Sequence, residues 1–178
     1  MQLRNYINGN FCSHTSGKWI TNLNPATGVE ICKVPVSNSK DVEQAINSAK
    51  DAYPNWSKNT PHERAIWLDR IADKLEEMFE EIAQLESMDT GKPISLSRSV
   101  DANRSVANFR FFSELIRSME IEEFEMKDAT NYVIQKPIGI GALITPWNLP
   151  LYLLSWKVAP AIGMGNTVVC KPSELTPM

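Results

Sequence analysis

Two short stretches of this 178-residue chain hold side chains whose type and spacing suit chemistry. Pro146-Trp147-Asn148-Leu149-Pro150 sets a neutral amide between two prolines, and Lys171-Pro172-Ser173-Glu174 sets a cation and a carboxylate within one turn of chain. A rigidly held carboxamide offers two N–H donors without charge, which is what stabilising an oxyanion requires. Asn148 equally suits the cap of a following helix. Lys171 and Glu174 suit the hydroxyls of a ribose, because an acidic residue at a strand end accepts from the 2′-hydroxyl in dinucleotide-binding folds, with Lys171 placed to donate to the 3′-hydroxyl. A solvated ion pair in a loop is the alternative. Arg104 shares a helical stripe with Val100, Ala107 and Phe111, and a charge on an apolar stripe needs a partner. That partner is either a carboxylate of the protein or a carboxylate of a substrate. Arg110 and Arg117 fall off the stripe and read as surface charges.

Other reactive side chains carry less. Cys12, Cys32 and Cys170 are odd in number and lack paired or zinc-type spacing, so each reads as a small apolar filler rather than a nucleophile. His14 and His62 are isolated, and no G-x-G-x-x-G occurs.

Strand ends can present such groups only if an α/β framework positions them. From Tyr6 to Val36, Asn8-Gly9, Gly17 and Asn24-Pro25-Ala26-Thr27-Gly28 punctuate short alternating runs, which predicts hairpins. After Ser39, read as an N-cap, apolar residues recur at helical steps until Pro54. Thr60-Pro61-His62-Glu63 is a capping box that opens a second helical stretch toward Met88, with a break near Met78. Asp89-Thr90-Gly91-Lys92-Pro93 stops it, and a third helical pattern runs from Ser95 to Met119. Ile121 to Pro137 reads as an exposed hairpin arm. Ile138 to Thr145 and Thr167 to Cys170 read as buried parallel strands joined by a helix over Leu151–Ile162, a βαβ unit. The expected organisation is therefore 1–120, hairpins and helices; 121–137, the arm; and 138–178, the start of a doubly wound sheet. Two parallel strands leave edges unpaired, so the sequence reads as the front part of something larger.

Composition narrows the classes. Hydrophobic residues make up 43% and charged residues 22%, which predicts a folded protein rather than a disordered one. A net charge of −3 with scattered Lys and Arg lacks the footprint of a nucleic-acid binder. Neither an apolar leader nor a membrane-length apolar run is present, and with an odd cysteine count the expected compartment is a reducing cytoplasm.

Ile144 through Pro150, Trp156-Lys157-Val158-Ala159-Pro160-Ala161 and Gly165 through Glu174 together resemble the aldehyde dehydrogenase superfamily, as do Asn24 through Gly28 and Asp89 through Pro93. Asn108-Phe109-Arg110-Phe111-Phe112 and Asn148 through Leu154 are most similar to its 2-aminomuconic and 2-hydroxymuconic semialdehyde branch. The resemblance spans this chain but only the front part of the family's usual length. It implies the N-terminal part of the aldehyde dehydrogenase fold, α/β in class, with NAD as cofactor and a small aldehyde as substrate. It makes Asn148 the oxyanion donor, gives Lys171, Ser173 and Glu174 to the adenine-side ribose, and sets Ile144, Thr145, Pro146 and Trp147 along the nicotinamide half. Arg104 would bind the carboxylate of a semialdehyde. Asp89 would sit at a structural cation site near Asn24, or be an ordinary helix-end carboxylate. The family's nucleophilic Cys and general-base Glu lie beyond residue 178, so the 178 residues alone are expected to be inactive. The arm would support a homo-oligomer, dimer or tetramer. A betaine-aldehyde-type substrate and a noncatalytic truncated product that binds subunits are the alternatives.

Overall fold

Asn8 and Gly9 both adopt positive φ (51° and 75°) and so turn β1 (Asn5–Ile7) back onto β2 (Asn10–Cys12), as an Asn-Gly hairpin should. The computed structural model describes all 178 residues. A second antiparallel pair, β3 (Trp19–Leu23) and β4 (Glu30–Pro35), is joined through the Asn24–Gly28 turn. Helix α1 (Ser39–Trp56) is capped by Asn38, not Ser39: the Asn38 side chain accepts from the Lys40 N–H at 2.9 Å while its backbone N–H donates to Asp41 at 2.8 Å. The helix carries on through Pro54 to Trp56, whose indole N–H donates to the Ile162 carbonyl at 3.0 Å.

The capping box at Thr60 and Glu63 opens α2 (Pro61–Glu77), and the chain breaks at Met78 before α3 (Phe79–Thr90). Gly91 ends α3 with φ 74°, and a Cβ there would lie 2.7 Å from Pro25 Cγ, so glycine also permits the β3–β4 turn to close onto the helix end. The third helical stretch is not uniform. It comprises a single turn, α4 (Ile94–Leu96), a π-helical turn over Ser97–Ala102, and α5 (Asn103–Arg117).

Leu68, Ala72, Phe109, Ile116 and Ala159 form the core, where α2, α5 and α6 (Pro150–Gly163) pack together. The packed face of α5 is Ser105, Asn108, Phe109, Ser113 and Ile116, so Arg104, Ala107 and Phe111 of the expected stripe point away from this core, while Val100 lies half-buried in the π-helical turn before it. Helix approach explains the difference. Small and amide side chains let the axes come close and satisfy one another there: Asn108 Nδ2 donates to Ser155 Oγ at 2.8 Å and Ser113 Oγ donates to the Ala65 carbonyl at 3.0 Å. Arg110 and Arg117 lie at the surface, as expected, and are paired there. They bridge α5 to α2, Arg110 to Asp73 at 2.5 Å and Arg117 to Asp69 at 2.5 Å.

The arm is an exposed antiparallel hairpin, β5 (Glu122–Glu125) with β6 (Thr130–Val133), its second strand stopping at Val133. Strands β7 (Ile140–Ile144) and β8 (Thr167–Lys171) pair in parallel around α6, as a βαβ unit. They are not buried throughout as their apolar runs suggested: Ile144 is 64% exposed and Cys170 lies open, because only part of the sheet surface is covered by α1 and α6. No helix is long and apolar enough to cross a membrane.

Candidate functional site

The parallel register sets Ile144 opposite Lys171, so the loops leaving β7 and β8 emerge side by side at the carboxyl edge. The Thr145 N–H donates to the Lys171 carbonyl at 3.2 Å, and Thr176 Oγ1 donates to the Trp147 carbonyl at 3.2 Å. Ile144, Thr145, Pro146, Trp147, Asn148, Lys171, Ser173 and Glu174 are thereby gathered into one edge. Thr145 is buried and its hydroxyl has no partner, whereas Pro146, Trp147 and Asn148 are exposed.

Asn148 does not cap α6. The N-cap position is Leu149, and no side-chain cap bond exists there. The capping role falls instead to Glu86 on α3, whose Oε1 accepts from the Leu151 N–H at 2.9 Å. Glu86 is 5% exposed, and its Oε2 lacks a partner. Burial pushes its carboxyl up to about 7, against the opposing pull of the Leu151 N–H, and the nearby Asp101 carboxylate adds to the rise. Three residues before Leu151, the Asn148 carbonyl accepts from Lys92 Nζ at 3.1 Å, and the same ammonium donates to both oxygens of Asp101 at 2.9 Å. The loop backbone is thus gripped on both sides while the carboxamide of Asn148 remains exposed. Glu86, Lys92 and Asp101 escaped sequence reasoning. The Gly-Lys-Pro after a helix was their only signal.

At the other strand end, Lys171 Nζ and Glu174 Oε2 pair at 2.6 Å, both more than half exposed. The Lys171 hydrogen bond holds the Glu174 carboxyl below its usual range. Ser173 is buried, and its Oγ accepts from the Leu175 N–H at 3.2 Å, which fixes the turn. An exposed ammonium and carboxylate at a strand end fit the vicinal hydroxyls of a ribose, the ammonium as donor and the carboxylate as acceptor.

Arg104 is exposed on the outward face of α5 and is absent from the ion pairs that tie α5 to α2. Asp89 is buried at the end of α3, and its two oxygens accept from Asn22 Nδ2 at 2.5 Å and the Met178 N–H at 2.9 Å. Burial raises its carboxyl, and no group of three or more His, Cys, Asp or Glu surrounds it. Both oxygens of Asp89 are thus engaged by neutral donors. Cys32 is buried, Cys12 half-buried and Cys170 open on β8. Desolvation raises the thiol of Cys32, the reverse of what activates a nucleophile.

Known proteins share this fold. The aldehyde dehydrogenase family profile matches residues 11–178. The 2-aminomuconic semialdehyde dehydrogenase of Mus musculus is 47% identical over 178 residues, spanning 99% of this chain and 36% of that protein. The 2-hydroxymuconic semialdehyde dehydrogenase of Pseudomonas sp. strain CF600 is 41% identical, spanning 99% and 38%. The crystal structure of PnpE in complex with nicotinamide adenine dinucleotide, a protein of Pseudomonas sp. WBC-3, superimposes with a TM-score of 0.94 at 43% identity, covering 99% of this chain and 37% of that one. The chain therefore spans little more than a third of the length of the relatives it matches.

Proposed function

This chain belongs to the aldehyde dehydrogenase family, and from that premise we propose that it is the N-terminal part of an NAD-dependent enzyme oxidising a carboxylate-bearing semialdehyde to its acid. The observation that carries the proposal is the free carboxamide of Asn148 at the carboxyl end of a parallel strand, with its backbone gripped on both sides and its capping role taken by Glu86. When bound, NAD supplies the acceptor for the aldehyde's hydride. Asn148 donates to the carbonyl oxygen of the aldehyde as that oxygen gains negative charge. Lys171 donates to, and Glu174 accepts from, the ribose diol on the adenine side, with Ser173 fixing the turn between them. Ile144, Thr145, Pro146 and Trp147 present the wall for the nicotinamide half. Arg104, free of protein carboxylates, holds the substrate's own carboxylate.

Within the whole enzyme, residues 1–120 and 138–178 contribute to the cofactor-binding domain, and 121–137 form an arm that joins subunits into a homo-oligomer. The arm's half-exposed Phe124, Tyr132 and Val133 favour that pairing. The unpaired cysteines suit a reducing cytoplasm. The test is a substrate panel followed by NADH absorbance in the complete enzyme containing these residues. A 2-aminomuconic or 2-hydroxymuconic semialdehyde should exceed hexanal and betaine aldehyde in kcat/KM by about tenfold or more, the discrimination one charge-assisted contact supplies. Parity, or a preference for betaine aldehyde, overturns the substrate assignment.

A further inference from the structure

We propose that Glu86, Lys92 and Asp101 form a positioning unit that aims the Asn148 carboxamide by holding the backbone on either side of it. The proposal rests on the assignment of Asn148 as oxyanion donor.

The carboxamide is exposed and caps nothing, so its direction is inherited from the backbone of Pro146 to Leu151. Proline fixes its own φ at 146 and 150, which leaves Trp147, Asn148 and Leu149 to be fixed by outside contacts. The Thr176 hydroxyl donates to the Trp147 carbonyl, and two further contacts complete the grip. Lys92 holds the carbonyl of Asn148, and Glu86 holds the N–H of Leu151.

Lys92 is suited to hold and not to react. Its ammonium has three N–H donors, and all three are committed, one to the Asn148 carbonyl and two to the Asp101 carboxylate. Its side chain is 12% exposed and that of Asp101 is wholly buried, so the pair has little freedom to reorient. Asp101 lies in the π-helical turn, whose wider winding shifts its register relative to α5, and its carbonyl accepts from Ser105 Oγ at 2.7 Å. Glu86 supplies the acceptor that Leu149 cannot, because Leu149 sits at the N-cap without a polar side chain. The unit thus reaches from α3 and the π-turn to the backbone of the β7–α6 loop without touching the exposed face where an aldehyde would lie. These are positioning residues, and their effect on turnover must pass through Asn148.

A double-mutant cycle in the complete enzyme tests that route. In the wild-type background K92M should lower kcat by about 10- to 100-fold, the cost of displacing a catalytic group by a fraction of an ångström, with the Kd for NAD changed by less than about twofold. In an N148A background K92M should change kcat by less than about twofold, because the group it positions is gone. E86A should lower kcat in the same way, and E86Q, which keeps the acceptor oxygen, should recover most of the loss. This pair carries the test if K92M does not fold. An equal fractional loss in both backgrounds, or no recovery with E86Q, overturns the positioning unit. An N148A enzyme with undiminished kcat overturns the oxyanion assignment instead, and the two failures are told apart by which variant shows them.

Discussion

At the scale of single residues, the oxyanion role proposed for Asn148 carries the largest expected effect. N148A in the complete enzyme should lower kcat by about 10²- to 10³-fold, the effect of deleting one oxyanion donor, while the Kd for NAD stays near its original value. Stopped-flow turnover checks it, and a kcat unchanged with chemistry rate-limiting contradicts the role. Glu174 should set cofactor choice. Lys171 keeps its carboxyl ionised well below neutral pH, so a 2′-phosphate would meet a negative charge. The kcat/KM for NAD should exceed that for NADP by about tenfold or more, and E174A should narrow the gap. Arg104→Ala should raise KM about tenfold for a carboxylate-bearing semialdehyde and spare a simple aliphatic aldehyde, and a similar loss for both would make Arg104 structural. The exposed placement of Asn148 beyond β7 was legible because two prolines bracket it within five residues. The groups that hold its backbone were not, since Lys92 and Glu86 act across 56 and 65 residues of chain and no periodicity connects them.

At the scale of elements, α6 packs tightly against α2 and α5 at Gly163. A Cβ on Gly163 would stand 2.0 Å from Ile116 Cδ1 and 3.2 Å from Leu68 Cδ1. Gly163→Ala should therefore destabilise by about 1–3 kcal/mol, as Ile116 is driven from its rotamer within a packed core. Urea unfolding measures this, and a neutral result would show that the core repacks freely there. Glu86 gives α3 a pH signature. Its carboxyl titrates near 7 in the folded chain against 4.5 as the ordinary value, so the native state binds the proton more tightly between those limits. The resulting stability is complete below pH 4.5 and is lost as pH rises through 7. Relative to E86Q, the wild type should thus lose up to about 3 kcal/mol between pH 4.5 and 8. A wild-type-minus-variant difference that stays flat with pH contradicts the burial of that charge. Most elements were legible from caps and breaks, the Met78 interruption and the Thr60 capping box among them. The face of α5 was not. Its buried side is built from Ser105, Asn108 and Ser113, so the hydrophobic pattern pointed to the opposite side.

At the scale of the whole molecule, the chain exposes 10,994 Å², whereas a compact monomer of 20.0 kDa exposes about 8,700 Å². The excess is apolar in part: Ile138, Ile144, Trp147, Phe111 and Trp156 are all more than half open. Such a surface is suited to further protein, as the two-stranded sheet already implied in the sequence. A polypeptide of these 178 residues alone should show no aldehyde-dependent NADH formation and should tend to aggregate through the open β7–β8 edges. Sustained turnover by this polypeptide, free of a full-length enzyme, would contradict that and turn attention to its three thiols. The seating of α1 has a consequence for biosynthesis. Its Ala49 carbonyl accepts from Thr167 Oγ1 at 2.9 Å, 118 residues later, and Trp56 and Tyr53 reach partners at Ile162 and Pro137. At a translation rate of about 5–20 residues per second, α1 waits roughly 6–24 seconds for its partner strand to be made. During that interval its apolar side is open to the ribosome surface and to chaperones, so this early helix cannot be seated on β8 until 118 further residues have been made.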